Sequence, residues 1–180
     1  GVDDPAQLEL ALKRLPHPSA FTGLRGAVEL LLQGRSDHWR ICIVGDYDAD
    51  GATATTLMVR GLELLGFPRP DFLVPDRFEY GYGLSPAIVE LAQQQYRPDL
   101  IITVDNGIAS VDGVAAARAR GIKVLITDHH LPGDTLPDAD ALVNPRLPGC
   151  EDFPAANLAG VGVAFYLLMD LQRALRDQGF

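Results

Sequence analysis

Residues 40–51 read RICIVGDYDADG, and this stretch decides the fold. Its first half, Arg40–Gly45, is short, β-branched and apolar on both parities. That is the pattern of a strand buried on both faces of a parallel sheet. Its second half places Asp46, Asp48 and Asp50 in a turn closed by Gly51. Ala52–Leu65 then carries small and apolar residues at helical spacing and stops at Gly66, a C-terminal helix signal. Strand, acidic turn and helix make one βα unit.

The unit recurs along the chain. Asp71–Val74 is a short strand, and Ser85–Gln94 is a helix opened by a Ser cap with Pro behind it. Leu100–Val104 is a second buried strand, followed by a helix over Ser110–Arg120 that stops at Gly121. Lys123–Thr127 is a third strong strand, and Ala141–Val143 is a weaker one. One long amphipathic helix, or two, covers Ala156–Gln178. Residues 1–35 read as a helical lead-in (Gln7–Leu15, then Gly26–Gln33) that packs on a core formed by residues 36–180. The expected fold is α/β, a mainly parallel Rossmann-like sheet with helices on both faces. In such sheets ligands bind just past the carboxyl ends of the strands.

Composition narrows the function. The 180 residues are 47% hydrophobic and 22% charged, the balance of one globular domain with a core. No apolar run reaches the ~18 residues of a membrane span, and the N-terminus lacks the pattern of a signal peptide. Two distant cysteines, Cys42 and Cys150, make no disulfide framework, so a reducing cytoplasm is expected. The net charge of −9 argues against a broad basic nucleic-acid surface but leaves room for a local site where metal ions reverse the field.

The residues after each strong strand carry the chemistry. Asp46, Asp48 and Asp50 follow the first, Asp105-Asn106-Gly107 the second, and Asp128-His129-His130 the third. Asp, Asn and Gly are ordinary turn and cap residues, and any one cluster alone reads as structural. Five carboxylates crowded at one sheet edge would repel one another, and few cationic residues lie near them in sequence. Divalent cations account for the set. Oxygen and imidazole donors without thiolate favour Mn²⁺ or Mg²⁺, and the number of acids suits two ions, with Asp105 as the bridge. Asp46–Gly51 also opens like a calcium loop, but Leu57 stands where that loop needs Glu. Neither cysteine has a neighbouring histidine in sequence, so a thiol nucleophile has no support.

Gly45–Gly51, Val104–Ile108 and Thr127–His130 resemble motifs I, II and III of the DHH phosphoesterase superfamily. Tyr80–Ser85, Asp128–Pro132, Asn144-Pro145 and Leu158–Phe165 resemble its bacterial single-strand-specific DNA exonucleases. The resemblance implies 5′→3′ degradation of single-stranded DNA to mononucleotides with Mn²⁺ or Mg²⁺, in recombination and repair, with a helicase and a single-strand-binding protein as partners. It implies Asp46, Asp48, Asp50, Asp105 and His129 as metal ligands. His130 would contact the scissile phosphate, and Asp128 would orient a histidine. Family members carry a fourth motif with a further ligand Asp beyond the long helix, then a second catalytic domain and an OB-fold. The expectation is that residues 36–180 are a catalytic domain cut before that motif, with the later domains absent from this chain.

Lesser candidates keep two readings. Arg77 either holds a phosphate bidentately or pairs at the surface with Asp76 or Glu79. Tyr80 and Tyr82 either stack on bases or pack in a Gly-rich loop. Asn144 either shapes the site or makes a turn, while Gly160 and Gly162 read as close-packing positions at a helix start. The rival functions are another DHH phosphoesterase (a short-oligonucleotide hydrolase, a cyclic-dinucleotide phosphodiesterase or a pyrophosphatase) and an inactive metal-binding fragment.

Overall fold

A computed structural model describes residues 15–180 of the chain. The elements in order are α1 (Leu24–Ser36), β1 (Ile41–Gly45), α2 (Ala49–Leu64), β2 (Asp71–Leu73), α3 (Arg77–Tyr80), α4 (Pro86–Gln95), β3 (Leu100–Val104), α5 (Val111–Arg118), β4 (Lys123–Thr127), β5 (Ala141–Val143) and α6 (Gly160–Asp177). The five strands form one parallel sheet in the order β2-β1-β3-β4-β5. β1, β3 and β4 are apolar on both parities because the sheet is covered on both faces. Ile41, Ile43, Leu100, Ile102, Val104 and Leu125 meet α1, α2 and α6, whereas Cys42, Val44, Ile101, Val124 and Ile126 meet α4 and α5.

Two features of this topology place the site. The chain leaves β1 towards one sheet edge and returns to build β3 on its other side. The strand order therefore reverses between β1 and β3, which opens the crevice where open α/β sheets bind ligands. The register then levels the strand ends: Gly45 pairs with Val104, Val104 with Thr127 and Thr127 with Val143. The next residues, Asp46, Asp105, Asp128 and Asn144, thus emerge side by side.

Some local readings change. α2 begins at Ala49, three residues ahead of the expected start, because Asp48 caps it by accepting the Gly51 N–H at 2.9 Å. The last helix begins at Gly160 rather than Ala156; residues before it form turns and extended backbone. Asp76 caps the single turn α3, where a loop is expected. Of the lead-in, Gly26–Gln33 lies within α1, which packs on α6 and β5, while Gln7–Leu15 lies almost wholly outside the described residues. No helix among the described residues is long and apolar enough to cross a membrane.

Candidate metal centre

Asp105 sits at the middle of the site in an unusual backbone conformation. Its φ is +61°, in the left-handed region that Asp tolerates better than most residues. Four neighbouring side chains hold it there. The Thr103 hydroxyl donates to the Asn106 carbonyl at 2.7 Å, and the Thr127 hydroxyl donates to the Thr103 carbonyl at 2.8 Å. The buried Asn106 amide donates to Val44 O at 3.0 Å and Val104 O at 2.9 Å, tying the ends of β1 and β3 together. The Tyr82 hydroxyl donates to the Asp105 carbonyl at 3.1 Å.

The Asp105 side chain is 2% exposed, and among the described residues its Oδ1 has no hydrogen-bond partner. His129 Nε2 lies 3.0 Å from that oxygen without hydrogen-bond geometry. Burial, reinforced by the charges of Asp50 and Asp48, pushes the Asp105 carboxyl up to about 7. A buried, unpartnered carboxylate oxygen beside other acids is costly unless something cationic meets it.

Two groups of ligand atoms converge on Asp105, each within 4.8 Å of one another: Asp46 and Asp48 on one side, His129 and His130 on the other. His129 Nε2 is also 3.7 Å from Asp50 Oδ2. These oxygen and imidazole donors fit Mg²⁺ or Mn²⁺, and Asp105 belongs to both groups.

The other acids hold the frame. The wholly buried Asp128 accepts the N–H groups of Ile108 at 2.9 Å, His129 at 2.7 Å and His130 at 3.2 Å. It also receives His130 Nδ1 at 2.7 Å, which puts the ring proton on Nδ1 and leaves Nε2 for another partner. Asp50 accepts the N–H groups of Gly160 at 2.7 Å and Val161 at 2.8 Å, so it caps α6 from a distance. Gly160 is required for this approach: a Cβ there would lie 2.7 Å from Asp105 Cβ and Cγ.

Arg77 pairs with Asp46, not with Asp76 or Glu79, and its guanidinium lies 4.4 Å from the Tyr47 ring centroid and 5.1 Å from that of Tyr82. Tyr82 is at the site, its hydroxyl 3.2 Å from His130 Nδ1, whereas Tyr80 packs on the apolar cluster under α4. Burial, then Asp128, Asp105 and Asp46, raises the Tyr82 phenol, so it stays a donor. Sequence reasoning left Asn144 open and passed over Arg146. The buried Asn144 amide donates to His130 O at 2.9 Å, and Arg146 Nε donates to His129 O at 2.9 Å, so both fix the histidine loop. The signal for Asn144 was its place after a strand, level with the acids. Arg146 had no comparable signal.

The family model described as DHH family, N-terminal domain, matches residues 40–179. This chain belongs to the DHH family. It is 52% identical over its whole length to the single-stranded-DNA-specific exonuclease RecJ of Salmonella typhimurium, spanning 31% of that relative. A crystal structure of exonuclease RecJ bound to manganese superposes with a TM-score of 0.78 at 39% identity, covering 93% of this chain and 40% of the other. RecJ of Thermus thermophilus in complex with Mg²⁺ gives a TM-score of 0.55 at 30% identity, over 95% of this chain and 19% of that one. The chain thus spans about a third of the length of curated RecJ relatives such as this one.

Proposed function

We propose that this DHH chain is the N-terminal part of a metal-dependent phosphodiesterase that degrades single-stranded DNA 5′→3′ to mononucleotides in recombination and repair. Residues 36–180 would form the catalytic unit, with residues 1–35 as a lead-in. The observation that carries the reading is the orphaned, buried Asp105 Oδ1 at the meeting point of two donor groups. The similarity to RecJ supports single-stranded DNA as the substrate, and the 5′→3′ polarity is what the motif resemblance implies. From the motif resemblance we read a helicase and a single-strand-binding protein as partners and the cytoplasm as the compartment.

Asp46, Asp48 and Asp105 would hold one Mn²⁺ or Mg²⁺. Asp105, His129 and Asp50 would hold a second. Bound there, such ions supply an acidified water and neutralise phosphate charge. In its imidazolium form, with the Nδ1–H held by Asp128, His130 would donate Nε2–H to a phosphate oxygen as charge develops on it. Arg77, already aimed at the site by Asp46 and partly exposed, can hold a second phosphate oxygen, and Tyr82 keeps the His130 ring upright and offers a face to a base. No side-chain nucleophile is needed.

The test is Mn²⁺-dependent nucleotide release from 5′-phosphorylated single-stranded DNA by the protein carrying this domain. Release that Asp105→Ala abolishes is expected. Near wild-type turnover in Asp105→Ala at saturating Mn²⁺ would overturn the assignment, as would a trapped phosphoenzyme.

A further inference from the structure

Arg146 stands in the turn after β5, one edge of the sheet, and Arg77 in the loop after β2, the other edge. The acids that follow β1, β3 and β4 emerge between them. The five loops thus form one row about 19 Å long, four strand spacings of about 4.8 Å. A guanidinium closes each end, and the two are held differently. Arg77 pairs with Asp46. Arg146 pairs with no carboxylate among the described residues. Its Nε donates to His129 O at 2.9 Å, and a terminal nitrogen donates to Asn157 Oδ1 at 3.3 Å; both acceptors are neutral. Glu151, the nearest acid in sequence, accepts the Gly149 N–H at 2.8 Å instead. These contacts use two of the five N–H donors of the guanidinium and do not neutralise its charge. The side chain is exposed, and it is the sole Lys or Arg between Lys123 and Arg173.

We propose that Arg146 holds the backbone phosphate next to the scissile one, on the β5 side of the metal centre. The proposal rests on the nuclease reading and deepens it. Fixing the histidine loop needs hydrogen-bond donors but no charge, so that role leaves the cation of Arg146 unexplained. A nucleic-acid strand carries a second negative charge one nucleotide beyond the scissile phosphate. In a chain of net charge −9 that charge needs a cation of its own. β5 lies one strand spacing beyond β4, whose loop supplies His130, and the arginine side chain extends the reach to the scale of one nucleotide step. A guanidinium with free N–H donors matches two oxygens of a phosphate, and its anchors on His129 and Asn157 set its direction in advance. Phosphate contacts carry no sequence information. Arg146 would therefore fix the register of the strand without selecting its bases.

The experiment measures binding of single-stranded oligonucleotides to the whole protein, with Ca²⁺ in place of Mn²⁺ to hold back turnover. Arg146→Gln keeps an amide donor for the loop and removes the charge. It should raise Kd about tenfold, the low end of a charge-assisted hydrogen bond, and reduce the slope of log Kd against log salt by about 0.7. Arg146→Lys keeps the charge and should keep the slope. Thermal unfolding confirms that both variants fold. Methylphosphonates, which are neutral, are then placed at one linkage at a time. One linkage should weaken wild-type binding and lose that effect in Arg146→Gln, while the other linkages keep theirs. An unchanged slope and an unchanged linkage pattern in Arg146→Gln would overturn the proposal. Weaker Mn²⁺ binding by titration calorimetry, with both of those unchanged, would assign Arg146 to the histidine loop alone and overturn it equally. Hydrolysis with Mn²⁺ is then measured on the same oligonucleotides. Turnover with no Arg146-dependent linkage overturns the phosphate contact alone. An Arg146-dependent linkage without any metal-dependent turnover overturns the nuclease reading and leaves the contact supported.

Discussion

Replacing Gly160 with alanine perturbs the metal centre from a helix that donates no ligand to it. The new Cβ would stand 2.7 Å from Asp105 Cβ and Cγ, whereas carbon atoms rest about 3.5–4.0 Å apart. Either the Asp105 side chain or the start of α6 has to move by about 1 Å. α6 is not free to retreat, because Gly160 and Val161 both donate to Asp50, and hydrogen bonds to a charged group are worth about 1.5–3 kcal/mol each. The Asp105 backbone is pinned by Thr103, Asn106 and Tyr82. The carboxylate is the part left to yield, and metal–ligand distances tolerate only about 0.2 Å. Since Asp105 belongs to both ligand groups, Mn²⁺ affinity should fall about 100-fold, the upper end of the effect of disturbing a ligand's support. Isothermal titration with Mn²⁺ reads this directly, and thermal unfolding of the metal-free variant confirms that the fold survives. Gly162→Ala is the control: its Cβ would meet the apolar Leu158 side chain instead, so Mn²⁺ affinity should change far less. A folded Gly160→Ala protein that binds Mn²⁺ within twofold of wild type would refute the reasoning.

Asp105 titrates near 7 in the metal-free fold against about 3.9 in an unfolded chain, so between those values the native state binds the extra proton. Its contribution to stability should therefore fall as pH rises from about 4 to 7 and level off above. Urea unfolding in chelator at several pH values should show this slope, reduced in Asp105→Asn. The same proton competes with metal, so apparent Mn²⁺ affinity should weaken below about pH 7, measured by titration calorimetry in buffers of differing ionisation heat. Asn106→Ala leaves the buried Val44 and Val104 carbonyls without their side-chain donor and should cost about 2–4 kcal/mol of unfolding free energy by urea denaturation. Cys42, fully buried with its thiol pushed up to about 12 by burial and Asp71, should react with thiol reagents only after denaturation, followed by mass spectrometry.

The sequence by itself determined the strands, the type of sheet and the place of the acids. β1, β3 and β4 were legible because a strand covered on both faces is apolar at every position, and the acids directly after them needed only chain order. The Ser85-Pro86 helix start was equally local. Tertiary structure decided what those acids do. Asp50 reads as one more ligand in a row of three, and only the fold adds that its oxygens also accept backbone N–H groups 110 and 111 residues away. Arg77 read either as a phosphate holder or as a surface partner of Asp76 or Glu79, and its pairing with Asp46 follows only from β2 lying beside β1. Gly160 touches Asp105 only because α6 docks over the end of β3, and Asn106 reads as a turn residue until the sheet register sets it against Val44. Periodicity reports which face of an element is buried. Register and helix docking decide which residues meet across it, and those follow from packing the whole chain.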